Sequence, residues 1–326
     1  MIYSWQKSQW HHLMQRKAML PHAILLCGGA GIGKDDFALH LAQALLCHQA
    51  GEESACGTCS SCLWFQEDAH PDFKCITPTD DSEDTASKKK TKKTQISVAQ
   101  IRQLYAFLSL STHQVQGKRI ILISPAEALN LNAANALLKM LEEPPANTLF
   151  LLVASQPQRL LATIISRCQV LNFSIPPKHD AIEWLRSQQV SNPQTLLTYA
   201  GGAPLAALRI EGQLAVNQQL IQQLSKGRKL DPFSTAPLFL ASGMERAVDV
   251  IQKWIFDLLH FRLTNTVHYH AQQLQALQVL AKSVNLGGLL QFERSLLEAK
   301  KSANHPLSNE MQLEQLLLQY VHVFNI

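Results

Sequence analysis

The sequence predicts an α/β domain built on a parallel sheet, followed by two all-helical parts. Three observations carry this prediction. Five strand-like apolar runs alternate with helix-period segments in the first half. A glycine-rich phosphate-loop pattern stands between the first run and the first helix. Beyond Pro176-Pro177 no convincing strand recurs.

The predicted strands are Ala23 to Cys27, Phe73 to Thr77, Arg119 to Ser124, Thr148 to Ala154 and Gln169 to Phe173. Several are apolar throughout, as strands covered on both faces are. Helices are expected at Asp36 to Leu46, Val98 to Leu110 and Asn132 to Glu142, and then at Lys178 to Gln189 and Pro193 to Ile210. Longer amphipathic helices follow Gly212. One carries Val248, Ile251, Ile255, Leu258 and Leu259 on a stripe, and another carries Leu313, Leu316, Leu317, Tyr320 and Val321 behind a Ser308 cap. The division expected is 1-174 for the α/β domain, 175-210 for a small helical lid and 211-326 for a helical bundle. Residues 79-94 join an acidic stretch to a lysine run, which reads as a solvated, disordered loop, with DNA contact through the lysines as the alternative.

Bulk properties narrow the class. At 326 residues the chain can hold two or three domains. Its 46% hydrophobic and 17% charged residues suggest large buried faces or subunit contacts. The net charge of 29 − 25 = +4 is too mild to mark a dedicated nucleic-acid binder. No apolar run is long enough for a membrane span and the N-terminus lacks a secretion signal, so the expected location is the cytoplasm.

Gly28-Gly29-Ala30-Gly31-Ile32-Gly33-Lys34 is the phosphate-cradling pattern in its strand-to-helix context, and Gly28, Gly33 and Lys34 are its candidate nucleotide contacts. The pattern then calls for Ser or Thr to hold Mg²⁺, and Asp35 and Asp36 follow instead. Without ligand these carboxylates suit the helix dipole. Beside a triphosphate they cost on the order of 4 kcal/mol. The third strand leads into Ser124-Pro125-Ala126-Glu127, so Ser124 and Pro125 stand where metal-binding and water-activating acids are expected, and Glu127 is expected to face elsewhere. The surviving glycines serve either the fold or a retained phosphate.

Cys47, Cys56, Cys59 and Cys62 give the spacing C-x8-C-x2-C-x2-C, suited to a closed tetrahedral zinc site with a structural role. Reduced, unligated thiols or disulfides are the alternative. Cys27 and Cys75 fall in strands and read as core, and Trp5 reads as a core anchor.

Taken with the phosphate loop and the cysteines, three further segments make the chain resemble the delta-prime family of AAA+ clamp-loader subunits. They are His70-Pro71-Asp72, the run from Asn135 to Pro145 (NALLKMLEEPP) and Ser166-Arg167-Cys168. The resemblance covers residues 3 to about 210 well, and the C-terminal part only by its helical pattern and the Asn309 to Leu318 segment. It implies a place in a heteropentameric ring beside gamma/tau ATPase subunits and the delta subunit, reaching the sliding clamp and primed DNA through the complex. It also implies that Arg167 is an arginine finger presented to a neighbour's ATP, that Leu205 replaces a nucleotide-sensing arginine, and that the C-terminal bundle is a collar. Intrinsic ATP hydrolysis is not expected. The alternatives are a gamma/tau-like ATPase and a zinc-containing nucleic-acid binder.

Overall fold

A computed structural model describes residues 2–49, 51, 54–78, 95–109, 117–302 and 309–324. The 79-94 insert and the Ser308 cap lie outside the described residues. Five parallel strands, β1 (Ala23–Cys27), β2 (Phe73–Ile76), β3 (Arg119–Ile123), β4 (Thr148–Ala154) and β5 (Gln169–Asn172), form one sheet in the order β2-β3-β4-β1-β5. The three central strands are buried along their whole length. Their residues alternate between two cores, which is why they read as continuous apolar runs. Leu25, Ile121 and Phe150 belong to one core together with Ile101, Leu104 and Leu137, while Leu26, Leu122 and Leu151 belong to the other with Trp10, Phe37 and Leu41.

The helices around this sheet are α1 (Lys7–Gln15), α2 (Lys34–Leu46), α3 (Ser60–Gln66), α4 (Val98–Ser109), α5 (Leu131–Glu142) and the single turn α6 (Ala162–Ile165). Asn130 caps α5, its side chain accepting from the Ala133 N–H at 2.8 Å. Helix α7 (Lys178–Ser187) follows, then α8 (Pro193–Tyr199) and α9 (Pro204–Glu211). The last two replace the single helix expected from Pro193 to Ile210. Gly201 and Gly202, at φ +64° and +86°, break it, because left-handed backbone cannot continue an α-helix.

The remainder is helical: α10 (Leu214–Leu224), α11 (Pro232–Leu240), α12 (Met244–Thr264), α13 (Leu274–Ser283), α14 (Leu286–Ser302) and α15 (Asn309–His322). Val248, Ile251, Ile255 and Leu258 of α12 are fully buried, as are Leu313, Leu317 and Tyr320 of α15. Trp254 Nε1 donates to the Tyr320 hydroxyl at 2.9 Å, which donates to Leu224 O at 2.6 Å, so the indole N–H and the phenol carried into this core are paired. By contact density the chain has two compact units. One comprises Met1–Trp184 with Gly202–Ala206, and the other Leu185–Gly201 with Ala207–Ile326. No helix among the described residues is long and apolar enough to cross a membrane.

Two of the expected placements change. Cys75 is exposed, because β2 is an edge strand of the sheet. Trp5 is half-buried rather than a core anchor, since its indole N–H is used at the phosphate loop, donating to Ile32 O at 3.0 Å. Trp10 fills the core in its stead.

Candidate functional site

Strand β1 ends at the phosphate loop, and Gly31 and Gly33 adopt φ +77° and +88° there, open to glycine at little cost. A side chain at Gly33 would strike the Tyr3 ring, and one at Gly31 would come within 2.7 Å of Ala206 Cβ. The chain packs closely over its own loop. Gln6, fully buried, donates through Nε2 to Ile32 O at 3.0 Å and Gly33 O at 2.9 Å. Leu205 N donates to Gly31 O at 3.0 Å.

The groups that would meet a nucleotide are engaged within the chain. Lys34 is 2% exposed and its Nζ donates to Gly29 O at 2.7 Å and Ser155 Oγ at 3.1 Å. Burial lowers its pKa, with Asp35 and Glu127 pulling the other way. The Asp36 carboxylate accepts from the Tyr3 hydroxyl at 2.7 Å. Asp35 accepts a hydrogen bond from Ser124 Oγ. These two residues hold an exchanged pair: a carboxylate where the pattern calls for a hydroxyl, and a hydroxyl where it calls for a carboxylate. Glu127 does not face away as expected. Its Oε1 accepts from Ser155 N at 2.9 Å and Gln156 N at 3.1 Å, which places its charge beside Lys34.

Helix α2 runs from this loop to the cysteine cluster, and Cys47 is its C-cap. The four sulfurs of Cys47, Cys56, Cys59 and Cys62 lie within 4.8 Å of one another, with Cys47–Cys59 and Cys56–Cys62 each at 3.9 Å. A tetrahedron of Zn–S bonds near 2.3 Å has edges of about 3.8 Å, so the donor set fits a metal ion such as zinc. Backbone N–H groups orient two of the sulfurs. Gln49 and Cys56 donate to Cys47 Sγ at 3.4 and 3.3 Å, and Cys59 N donates to Cys56 Sγ at 3.4 Å. The backbone N–H groups of Thr58 and Cys59 push the Cys56 thiol down to about 6, while burial pushes Cys62 up to about 12.

The histidine of His70-Pro71-Asp72 ties this knuckle to the sheet. Asp72 N donates to His70 Nδ1 at 3.0 Å, so Nε2 carries the proton and donates to Ser61 Oγ at 2.9 Å; Ser61 Oγ donates in turn to Leu46 O at 2.8 Å. Asp72 also faces Arg119, with Nε to Oδ1 at 3.9 Å, and Arg119 Nη1 donates to Leu108 O at 2.7 Å. This buried pair was not anticipated from sequence, although a lone arginine opening an apolar strand is a signal for a buried partner.

Arg167 lies just past α6. Its Nη2 meets Glu142 Oε1 at 2.5 Å and its Nη1 donates to Thr163 O at 2.9 Å, with side-chain exposures of 33% for Arg167 and 49% for Glu142. The exposed pair contributes ~0–1 kcal/mol, so the guanidinium can be recruited elsewhere at small cost. Cys168 beside it is partly buried, and burial pushes its thiol up to about 11.

A sheet of order β2-β3-β4-β1-β5 with a phosphate loop after β1, a four-thiol knuckle at the far end of α2 and an all-helical C-terminal part define an AAA+-like α/β protein. The family profile of the DNA polymerase III delta subunit matches residues 5–177, and the profile of that family's C-terminal part matches residues 211–322. The chain is similar to the DNA polymerase III subunit delta' of Pseudomonas aeruginosa, at 35% identity over 98% of this chain and 97% of that one. It is similar to the protein of the same name from Haemophilus influenzae at 32% identity over 89% of this chain and 87% of that one. Among solved structures it is similar to a DNA polymerase III gamma subunit-related protein from Thermotoga maritima, at 16% identity over 97% of this chain and 100% of that one, with TM-score 0.46. The chain belongs to the DNA polymerase III delta' family of clamp-loader subunits.

Proposed function

We propose that this protein performs no ATP hydrolysis of its own and contributes Arg167 in trans to ATP held by an adjacent gamma/tau subunit, within a cytoplasmic ring that also contains delta and that loads the sliding clamp on primed DNA. Gly28, Gly33 and Lys34 are then retained for the fold of the loop rather than for nucleotide. The four thiols hold zinc as a structural ion, residues 175-210 act as a lid and residues 211-326 as the collar.

The observation that carries this reading is the condition of the phosphate loop. Lys34, Asp35, Asp36 and Ser124 each have partners within the chain, and Asp35 and Ser124 exchange the functional groups that metal-assisted phosphoryl transfer needs. Arg167 is also paired, with Glu142 and Thr163, but it is one-third exposed and its carboxylate partner half-exposed, so solvent weakens that ion pair. A delocalised, always charged fork can stabilise the charge that develops on a transferring phosphoryl group.

In a reconstituted complex, Arg167→Ala should assemble normally while hydrolysis at the site it faces falls by ~10³-fold, read as clamp-dependent turnover. Unchanged turnover would sink the reading, and so would measurable hydrolysis by the isolated chain that disappears in Lys34→Ala.

A further inference from the structure

The second compact unit contains a cavity of about 190 Å³ that nothing above uses. Its wall draws on α8, α10 and the turn before α13, and includes Asn192, Tyr199, Asn217, Gln218 and His270. Among the described residues no lysine, arginine, aspartate or glutamate lines it.

Tyr199 and His270 are 9% and 5% exposed, and their rings stand 5.4 Å apart, nearly perpendicular. The Tyr199 hydroxyl and His270 Nε2 are fully buried and have no hydrogen-bond partner among the described residues. Buried polar atoms are nearly always paired in native proteins, so two orphans in the wall of one cavity mark a place for a ligand's own donors and acceptors.

The remainder of both side chains is held in place. Asp257 Oδ2 accepts from His270 Nδ1 at 2.8 Å, and the same carboxylate accepts the backbone N–H groups of His268, Tyr269 and His270 at 2.9, 3.0 and 2.7 Å. Burial would raise the Asp257 pKa, but the His270 ring and these N–H groups outweigh it and hold the carboxyl below its ordinary value. An ionised carboxylate only accepts, so the ring proton sits on Nδ1, and in the neutral ring Nε2 is an acceptor. Lys253 Nζ lies 3.8 Å from the centroid of the Tyr199 ring. Burial pushes the Tyr199 phenol well above its ordinary pKa, which keeps the hydroxyl protonated and able to donate.

We infer that this cavity binds a small uncharged molecule presenting a donor to His270 Nε2 beside an acceptor to the Tyr199 hydroxyl, the pairing found in a primary carboxamide. Its size is below the roughly 300–1,000 Å³ of sites for drug-sized ligands, which limits the occupant to a compact molecule. An ion is disfavoured because no charged lining group would compensate its desolvation.

The test titrates the full chain with nicotinamide, a compact neutral carboxamide, and with nicotinate, its charged counterpart, by calorimetry and by the ring ¹⁵N resonances of labelled histidine. The expected result is saturable nicotinamide binding in the millimolar range that moves the His270 Nε2 resonance, with nicotinate weaker by about tenfold or more. Tyr199→Phe keeps the ring over Lys253 and should weaken nicotinamide by about tenfold, the loss of one hydrogen bond. Three results would overturn the inference: no saturable binding, equal binding of nicotinate, or unaltered binding by a folded Tyr199→Phe. Should that variant not fold, the His270 Nε2 response in the unaltered protein decides, and its absence overturns the inference.

Discussion

The two ends of α2 carry two ligand sites in opposite condition. At its N-terminus the phosphate loop keeps the glycine geometry of a nucleotide site, but its functional groups are engaged within the chain: Lys34 on Gly29 and Ser155, Asp35 on Ser124, Asp36 on Tyr3. At its C-terminus Cys47 joins three other thiols whose sulfurs converge at metal-binding separation, with backbone N–H groups arranged around them. The presence of a motif therefore does not measure competence. At one end the donors converge on a common point, and at the other each has a partner within the chain.

Four changes test that contrast, and the largest effect is expected at the thiol end. Cys59→Ser removes one of the four donors and should abolish stoichiometric zinc by elemental analysis, with a stability loss of several kcal/mol in thermal or urea unfolding. Full zinc retention would mean that the cluster does not act as a four-ligand site. At the other end, reversing the exchange with Asp35→Thr and Ser124→Asp together should raise Mg²⁺-ATP affinity by ~10²–10³-fold in calorimetric titration, the repulsion of on the order of 4 kcal/mol being removed. No gain in a folded double variant would show that charge at these two positions does not limit nucleotide affinity.

His70→Ala tests what holds the thiol end to the sheet. It removes the hydrogen bonds that His70 makes with Ser61 Oγ and the Asp72 N–H and should cost about 1–3 kcal/mol in unfolding free energy while zinc stays bound. The smallest effect belongs to Lys34. Burial lowers its pKa below the ordinary 10.5, so between the lowered value and 10.5 the unfolded chain binds more protons than the folded one. Stability should therefore rise with pH across that alkaline window. Lys34→Met should flatten this rise in unfolding midpoints measured as a function of pH, and a rise of equal slope in the variant would assign it to other groups.

Much of the fold and of the thiol site is legible in the sequence, for identifiable reasons. The central strands are readable because both faces of the sheet are covered, so their apolar runs are unbroken, and the cysteine spacing is readable because its ligands are close in sequence. The pairing of the loop's side chains is not legible. Tyr3 reaches Asp36 across 33 positions and Ser124 reaches Asp35 across 89, and no local pattern encodes either pairing. The orientation of Glu127 escapes sequence reading because the backbone N–H groups that hold it belong to Ser155 and Gln156, beyond β4. The exposure of Cys75 escapes it because strand order decides which strand is an edge, and composition is silent about order. The break between α8 and α9 is different: Gly201-Gly202 announces it in plain view.

The exchange between Asp35 and Ser124 also bears on how such a protein could change over generations. A substitution at either position changes what the other is paired with, so the effects of the two are not additive. Ser124→Asp by itself sets a second carboxylate against Asp35, a repulsion that destabilises the loop. Asp35→Thr by itself leaves two hydroxyls facing one another, with the Asp36 carboxylate held by Tyr3 and that of Glu127 by two backbone N–H groups. Each single step thus exchanges one pairing at the loop for another, so the Ser124–Asp35 hydrogen bond couples the two positions in any change of sequence.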